Sequence, residues 1–171
     1  TGGDLVLTTP ADLALGRAII GGTATLNVSG DLTDHADDDA DPSLDLTAAA
    51  VVLDVGGDIG SATNRIEIDA TGAISGDVDG SLYLADLNII GLEAGADLTV
   101  GGTADILARG SFLGAAGAAL EARDIVLRSQ TANIGSETTR FSITLTGGAV
   151  TAHAVNEIWL SSGVAVPVLR L

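Results

Sequence analysis

The chain has 171 residues, 46% of them hydrophobic but only 2% aromatic, with 23 Gly. Twenty-three acidic residues face seven basic ones, all of them Arg, for a formal net charge of −16 at pH 7. Such a field repels phosphate backbones and anionic lipid, so nucleic acid is excluded as a partner, and no apolar run is long enough for direct membrane insertion as a helix.

A chain of this length buries roughly 70% of its unfolded surface, and with so few aromatics Val, Ile, Leu and Ala must fill the interior. That mix, with abundant Gly and Thr, predicts many short strands joined by tight turns. There is no Cys and no Met. The opening Thr1-Gly2-Gly3-Asp4-Leu5 has neither a basic stretch nor an apolar run behind it. It reads as an internal piece of a longer protein whose export signal lies elsewhere.

In chain order, Leu5–Leu7, Leu13–Leu15, Leu26–Val28 and Leu44–Leu46 are predicted strands. Between the last two, residues 33–43 are predicted to form an acidic loop insertion carrying Asp34, His35, Asp37, Asp38, Asp39, Asp41 and Pro42. Alternating apolar triplets follow at Val51–Leu53, Ile66–Ile68, Leu82–Leu84, Leu98–Val100, Ile125–Leu127, Phe141–Ile143 and Ile158–Leu160, with a weaker strand near Phe112-Leu113. A second series runs between them through Ile59, Ile74, Ile90, Ile106, Leu120, Ile134, Val150 and Val166. Both series advance by about 15 to 16 residues. Gly-bearing steps such as Gly57-Asp58, Gly76-Asp77 and Gly101-Gly102 separate the strands. The Ala-rich Gly114–Arg123 is open to a helical stretch or a flattened coil.

A longer repeat encloses these steps. Residues 59–84 read IGSATNRIEIDATGAISGDVDGSLYL and residues 134–160 read IGSETTRFSITLTGGAVTAHAVNEIWL. Ile59-Gly60-Ser61 matches Ile134-Gly135-Ser136, Arg65 matches Arg140, and Thr71-Gly72 matches Thr146-Gly147. The repeat of about 75 residues covers 51–84 and 125–160. Stacked units of this kind predict one all-β module over residues 1–171, a parallel β-solenoid with coils of about 15–20 residues.

The phrases GGDIGSATNRIEIDATG (56–72), GSLYLADL (81–87) and GADLTVGGTADI (95–106) resemble the repeats of filamentous-haemagglutinin-like giant adhesins. The resemblance spans most of residues 44–160. It implies a right-handed parallel β-helix in a large secreted bacterial protein, exported by a two-partner or type I route and located at the cell surface. The step read from this sequence is shorter than the coil usual in that family, and the family's amino-terminal secretion domain is not among these residues.

Candidate sites are few. Asp34, Asp37, Asp38, Asp39 and Asp41 read either as a solvated charge run or as oxygen ligands for Ca²⁺, with His35 beside them. Their spacing fits neither an EF-hand nor a nonapeptide roll. Alternation places Tyr83 and Trp159 outward, as a binding surface for sugars or filaments or as cover for a neighbouring coil. Arg65 and Arg140 read as partners of carboxylates or turn carbonyls. The outward series Val52, Glu67, Tyr83, Thr99, Val126, Ser142 and Trp159 is no Thr ladder, which speaks against ice binding. The acidic pairs Asp37–Asp38 and Asp77–Asp79, with His35 and His153, make no recognisable catalytic constellation.

The sequence thus predicts a non-enzymatic structural and adhesive module, with no cofactor beyond Ca²⁺. Its expected partners are neighbouring solenoid repeats or copies of itself, and host or matrix glycans and proteins. A filament or surface-layer subunit stacking end to end is the alternative, and a β-helix polysaccharide-active enzyme ranks below both.

Overall fold

The computed structural model describes residues 2–35 and 44–165 and, for the backbone, Val168–Arg170. The described residues hold strands and turns and no helix. The first coils carry β1 (Leu5–Thr9), β2 (Leu13–Leu15), β3 (Ala18–Ile19), β4 (Thr23–Val28), β5 (Leu32–Asp34), β6 (Leu46–Ala48) and β7 (Ala50–Val55). The middle coils carry β8 (Ile66–Ala70), β9 (Ala73–Val78), β10 (Leu82–Asp86), β11 (Ile90–Leu92), β12 (Leu98–Ala108) and β13 (Phe112–Leu113). The last carry β14 (Leu120–Ser129), β15 (Phe141–Leu145), β16 (Val150–His153), β17 (Leu160–Ser162) and β18 (Val168–Arg170).

Every pairing is parallel and joins one coil to the next: β1 to β4, β4 to β7, β7 to β9, β9 to β12. A second face stacks β2 on β5, then Leu32, Ile59 and Leu82, then β10 on β12, β14 and β16. A third stacks β3, β6, β8 and β10. The result is a parallel β-solenoid of about seven coils. In the later coils a further short stack, Ile90, Phe112, Ile134 and Ile158, widens the cross-section.

The coil is longer than the step read from the sequence. Residues stacked at one corner are separated by 19 (Asp12 and Asp31), 27 (Asp31 and Asp58), 23 (Asp58 and Ser81) and 22 (Ser81 and Thr103). Only the first falls inside the expected range of about 15–20. The apolar step of 15 to 16 residues marks two of the three faces, so it recurs at about two thirds of a coil. The interval of 27 contains the acidic insertion.

The 75-residue repeat is likewise three coils plus one face. Ile59 stacks between Leu32 and Leu82, whereas its counterpart Ile134 stacks between Phe112 and Ile158. The two copies are therefore rotated about the rod. In each copy the segment after the isoleucine (60–65 and 135–140) leaves the ladder as an excursion, closed by the same turn. The backbone N–H of Asn64 donates to Ser61 Oγ at 3.0 Å, and that of Thr139 to Ser136 Oγ at 2.9 Å. Gly60 and Gly135 open these excursions at φ of 61° and 71°, a backbone shape that glycine adopts at no steric cost. A side chain there would also strike the carbonyl oxygen of Tyr83 or Trp159 in the next coil.

One apolar core runs the length of the described coils; one line of stacked positions in it passes through Leu26, Leu53, Gly76, Leu98, Leu120 and Ile143. Phe112 and Phe141 fill its widest part, edge to face with ring centres 5.5 Å apart. The Ala-rich segment 114–123 is a turn followed by the start of β14, because Leu120 and Ala122 must face the core at strand spacing.

Candidate functional site

The acidic insertion does not begin where the charge run begins. Thr33 and Asp34 still belong to β5, with Asp34 stacked beside Leu15. Residues 36–43 lie outside the described residues, and beyond them Asp45 leads into β6. In the next coil Glu67 lies under Asp45: the N–H of Asp45 donates to Glu67 O at 3.0 Å, and the N–H of Glu67 donates to Asp45 Oδ2 at 2.9 Å. Asp34, Asp45 and Glu67 thus come together, with carboxylate oxygens all within 4.8 Å of one another. All three side chains are buried or nearly so.

Burial, with the Asp34 carboxylate beside it, pushes the Asp45 carboxyl up to about 6, while the Glu67 N–H works in the opposite direction. Carboxyls this close in a dry setting hold a proton more readily than exposed ones. Three carboxylate oxygens also fall short of the six to eight ligands that Ca²⁺ takes. Of the residues expected to bind Ca²⁺, the structure places Asp34 in this cluster. Asp37, Asp38, Asp39 and Asp41 lie outside the described residues. His35 is exposed, and its backbone N–H donates to Leu15 O.

Asp45 and Glu67 escaped the sequence reading. Alternation puts Glu67 outward between Ile66 and Ile68, yet it is 6% exposed, because the previous coil's carboxyls stack over it. Only the coil register, with Leu46 beside Ile68, reveals that contact.

A second buried acid also escaped. Asp86 ends β10 on the inward phase of Leu82 and Leu84 and is 1% exposed. Its stack runs from Ile68 through Asp86 to Ala108 and Ser129. The N–H of Asn88 donates to its Oδ1 at 2.6 Å and the N–H of Ala70 to its Oδ2 at 3.5 Å. Burial, with some help from the Asp69 charge, pushes this carboxyl up to about 7 against those two donors.

Tyr83 and Trp159 are half-buried and face different sides of the rod. Tyr83 stacks beside Asp105, whereas Trp159 follows the Ile134–Ile158 bridge. They do not form one platform, since the repeat that relates them turns about the axis. Trp159 donates its Nε1–H to Glu157 Oε2 at 3.1 Å, and the Arg140 guanidinium lies 5.5 Å from its ring centre. Arg65 reaches two coils along to Asp105, donating to its carbonyl at 2.9 Å and to Oδ2 at 3.0 Å; Arg128 donates to Oδ1 of the same side chain at 2.6 Å. Arg140 donates to Leu160 O at 3.4 Å. Asp77, Asp79 and His153 are exposed and separate.

No family model, no curated protein and no solved structure matches the chain.

Proposed function

We propose that this chain is a structural and adhesive module of a large secreted or cell-surface bacterial repeat protein, serving as a rigid acidic rod that spaces or presents a binding surface. The observation that carries the reading is the single apolar core, continuous through about seven coils and tied at the corners from each coil to the next. At about 4.8 Å per coil the module adds only on the order of 35 Å of length, so a spacer of this kind acts by repetition. Stability in such a rod is a sum over nearest-neighbour contacts, which suits a load-bearing stalk. The net charge keeps the outer face solvated and favours partners that are neutral or cationic at the point of contact. Neighbouring repeats and matrix glycans or proteins fit that description.

The test is to display this chain, with flanking repeats, on cells that lack adhesins. Small-angle scattering of the chain joined to its flanking repeats should give a stiff, elongated particle whose length grows with the number of repeats, and display should raise adhesion to matrix glycans or proteins. A compact flexible particle rejects the rod. Unchanged adhesion rejects the adhesive part, and release of sugar from acidic polysaccharides would favour the enzyme reading instead.

A further inference from the structure

We infer that Arg140 and Trp159, beside the outer edge of β17, form a docking surface for a further coil of the rod, whose strand brings a carboxylate to the Arg140 guanidinium. This deepens the rod reading, on which it rests, by naming the side chains that join one repeat to the next.

The first copy of the repeat holds the finished joint. Tyr83 donates its backbone N–H to Ile59 O at 2.8 Å, Leu84 lies beside Ile66, and the excursion between those isoleucines ends on Arg65. One coil further on, Ala104-Asp105-Ile106 lies beside Leu82-Tyr83-Leu84. Ala104 and Ile106 are buried in the core. Asp105 between them accepts from the Arg65 guanidinium, at 2.9 Å through its carbonyl and at 3.0 Å through Oδ2. Arg65 thereby spans the coil of Tyr83, and its side chain is only 13% exposed.

The second copy has the same parts up to its edge. Trp159 donates its backbone N–H to Ile134 O at 2.7 Å, Leu160 lies beside Phe141, and the excursion between Ile134 and Phe141 ends on Arg140. The Arg140 guanidinium lies across the Trp159 coil, 5.5 Å from the ring centre, with Nη1 donating to Leu160 O at 3.4 Å. Arg140 is exposed, and among the described residues it makes no ion pair. Leu84 has Ile106 beside it on the far side, whereas β17 pairs with β15 on one side and with no described strand on the other. The strand that carries the acid is the one part the second copy does not share.

An unpaired strand edge offers its N–H and C=O groups to a further strand. A guanidinium presents a planar fork that matches a carboxylate, and the pair makes short charge-assisted hydrogen bonds. Glu157 is exposed and keeps its Oε2 on the Trp159 Nε1–H at 3.1 Å, so it leaves the guanidinium to the incoming acid. The partner is thereby defined by its chemistry. It is a parallel solenoid strand with an acidic residue between two inward apolar residues, the acid lying beside Trp159.

The experiment lengthens the full chain at its carboxyl end with a second copy of its own residues 96–129. The added copy of Asp105 then lies 22 residues beyond Trp159, as Asp105 lies 22 residues beyond Tyr83. Trp159 is the chain's one tryptophan, so its emission reads this surface alone. Docking should move that emission to shorter wavelength and cut its quenching by acrylamide severalfold relative to the parent. Arg140→Ala and Asp105→Ala, the latter in the added copy only, should be coupled by roughly five- to fiftyfold in the unfolding equilibrium constant of the added coil. Unchanged emission, an extension that does not fold onto the rod, or additive effects of the two substitutions overturns the inference. Loss of adhesion with the joint intact rejects only the adhesive reading. A failed joint in a rod whose length still grows with repeat number rejects only the role of Arg140 and Trp159.

Discussion

Asp58 accepts the backbone N–H of Ser81 through Oδ1 at 2.6 Å, one full coil later along the chain. The same bond recurs down that corner: Asp12 accepts from Asp31 at 3.0 Å, Asp31 from Asp58 at 2.8 Å, Ser81 from Thr103 at 3.3 Å, and Asp124 from Ala149 at 3.1 Å. Each acceptor lies where a Cβ would sit on the glycine of the next coil, at Gly30, Gly57, Gly80, Gly102 and Gly148. The recurring Gly-Asp pair is therefore a joint. The glycine leaves room for the carboxylate above it, and the aspartate reaches for the amide below.

The joint predicts a non-additive pair of substitutions. Gly102→Ala pushes a methyl into Ser81 Oγ and should cost roughly 1–3 kcal/mol, as overpacking does. In a Ser81→Ala background the next atom is 3.2 Å away, in the Gly80 backbone, so the same change should cost clearly less. Urea unfolding of the four proteins measures the coupling. Additive costs would show that the corner bond does not set the glycine.

Asp58→Ala leaves the Ser81 N–H without its acceptor at an exposed corner. The expected loss is about 1 kcal/mol, close to that of a helix N-cap deletion, where a side-chain oxygen also satisfies a backbone donor. Asn at the same position should recover most of it.

Asp105 gathers Arg65 and Arg128 from two different coils. The Arg65 side chain is 13% exposed and that of Arg128 is 44% exposed. Solvent screens the second pair more strongly, so Arg65→Ala should destabilise more than Arg128→Ala, and the latter by under about 1 kcal/mol. Equal losses in a double-mutant cycle against Asp105→Ala would reverse that ranking.

At the neck of the acidic insertion, Asp45→Asn should remove the part of the pH dependence that lies between pH 4 and 6. The raised carboxyl stabilises the fold fully below pH 4 and progressively less as pH rises through 6. The variant should thus be more stable than the parent at pH 8. EDTA at pH 6 should leave the melting temperature unchanged, because a proton already offsets the crowding. A fall would show that a cation does so.

Phe112→Ala should cost about 3–5 kcal/mol, since it empties the widest part of the core and removes the edge-to-face contact with Phe141. Thermal unfolding followed by circular dichroism reads this directly.

The sequence was legible where chemistry repeats at strand spacing. Apolar triplets such as Val51–Leu53 and Ile125–Leu127 fall in β7 and β14, and Phe112-Leu113 forms the weak strand expected. The likeness of residues 59–84 to 134–160 marks two excursions closed by the same turn. Asp86 was passed over although it continues the inward alternation of Leu82 and Leu84, because a carboxyl is easily read as surface. Asp45 and Glu67 were not legible, because one leaves an insertion and the other lies 22 residues on.

By itself the sequence determined that this chain stacks parallel strands around an aliphatic core, because alternation and the repeat leave no other way to bury Val, Ile and Leu from units too small to fold alone. The tertiary structure decided the coil length, the rotation between repeats and the company each carboxyl keeps. A periodic pattern counts faces without saying how many make a turn. That number sets which residues meet across coils, and so it sets where Asp34, Asp45, Glu67 and Asp86 lose their water.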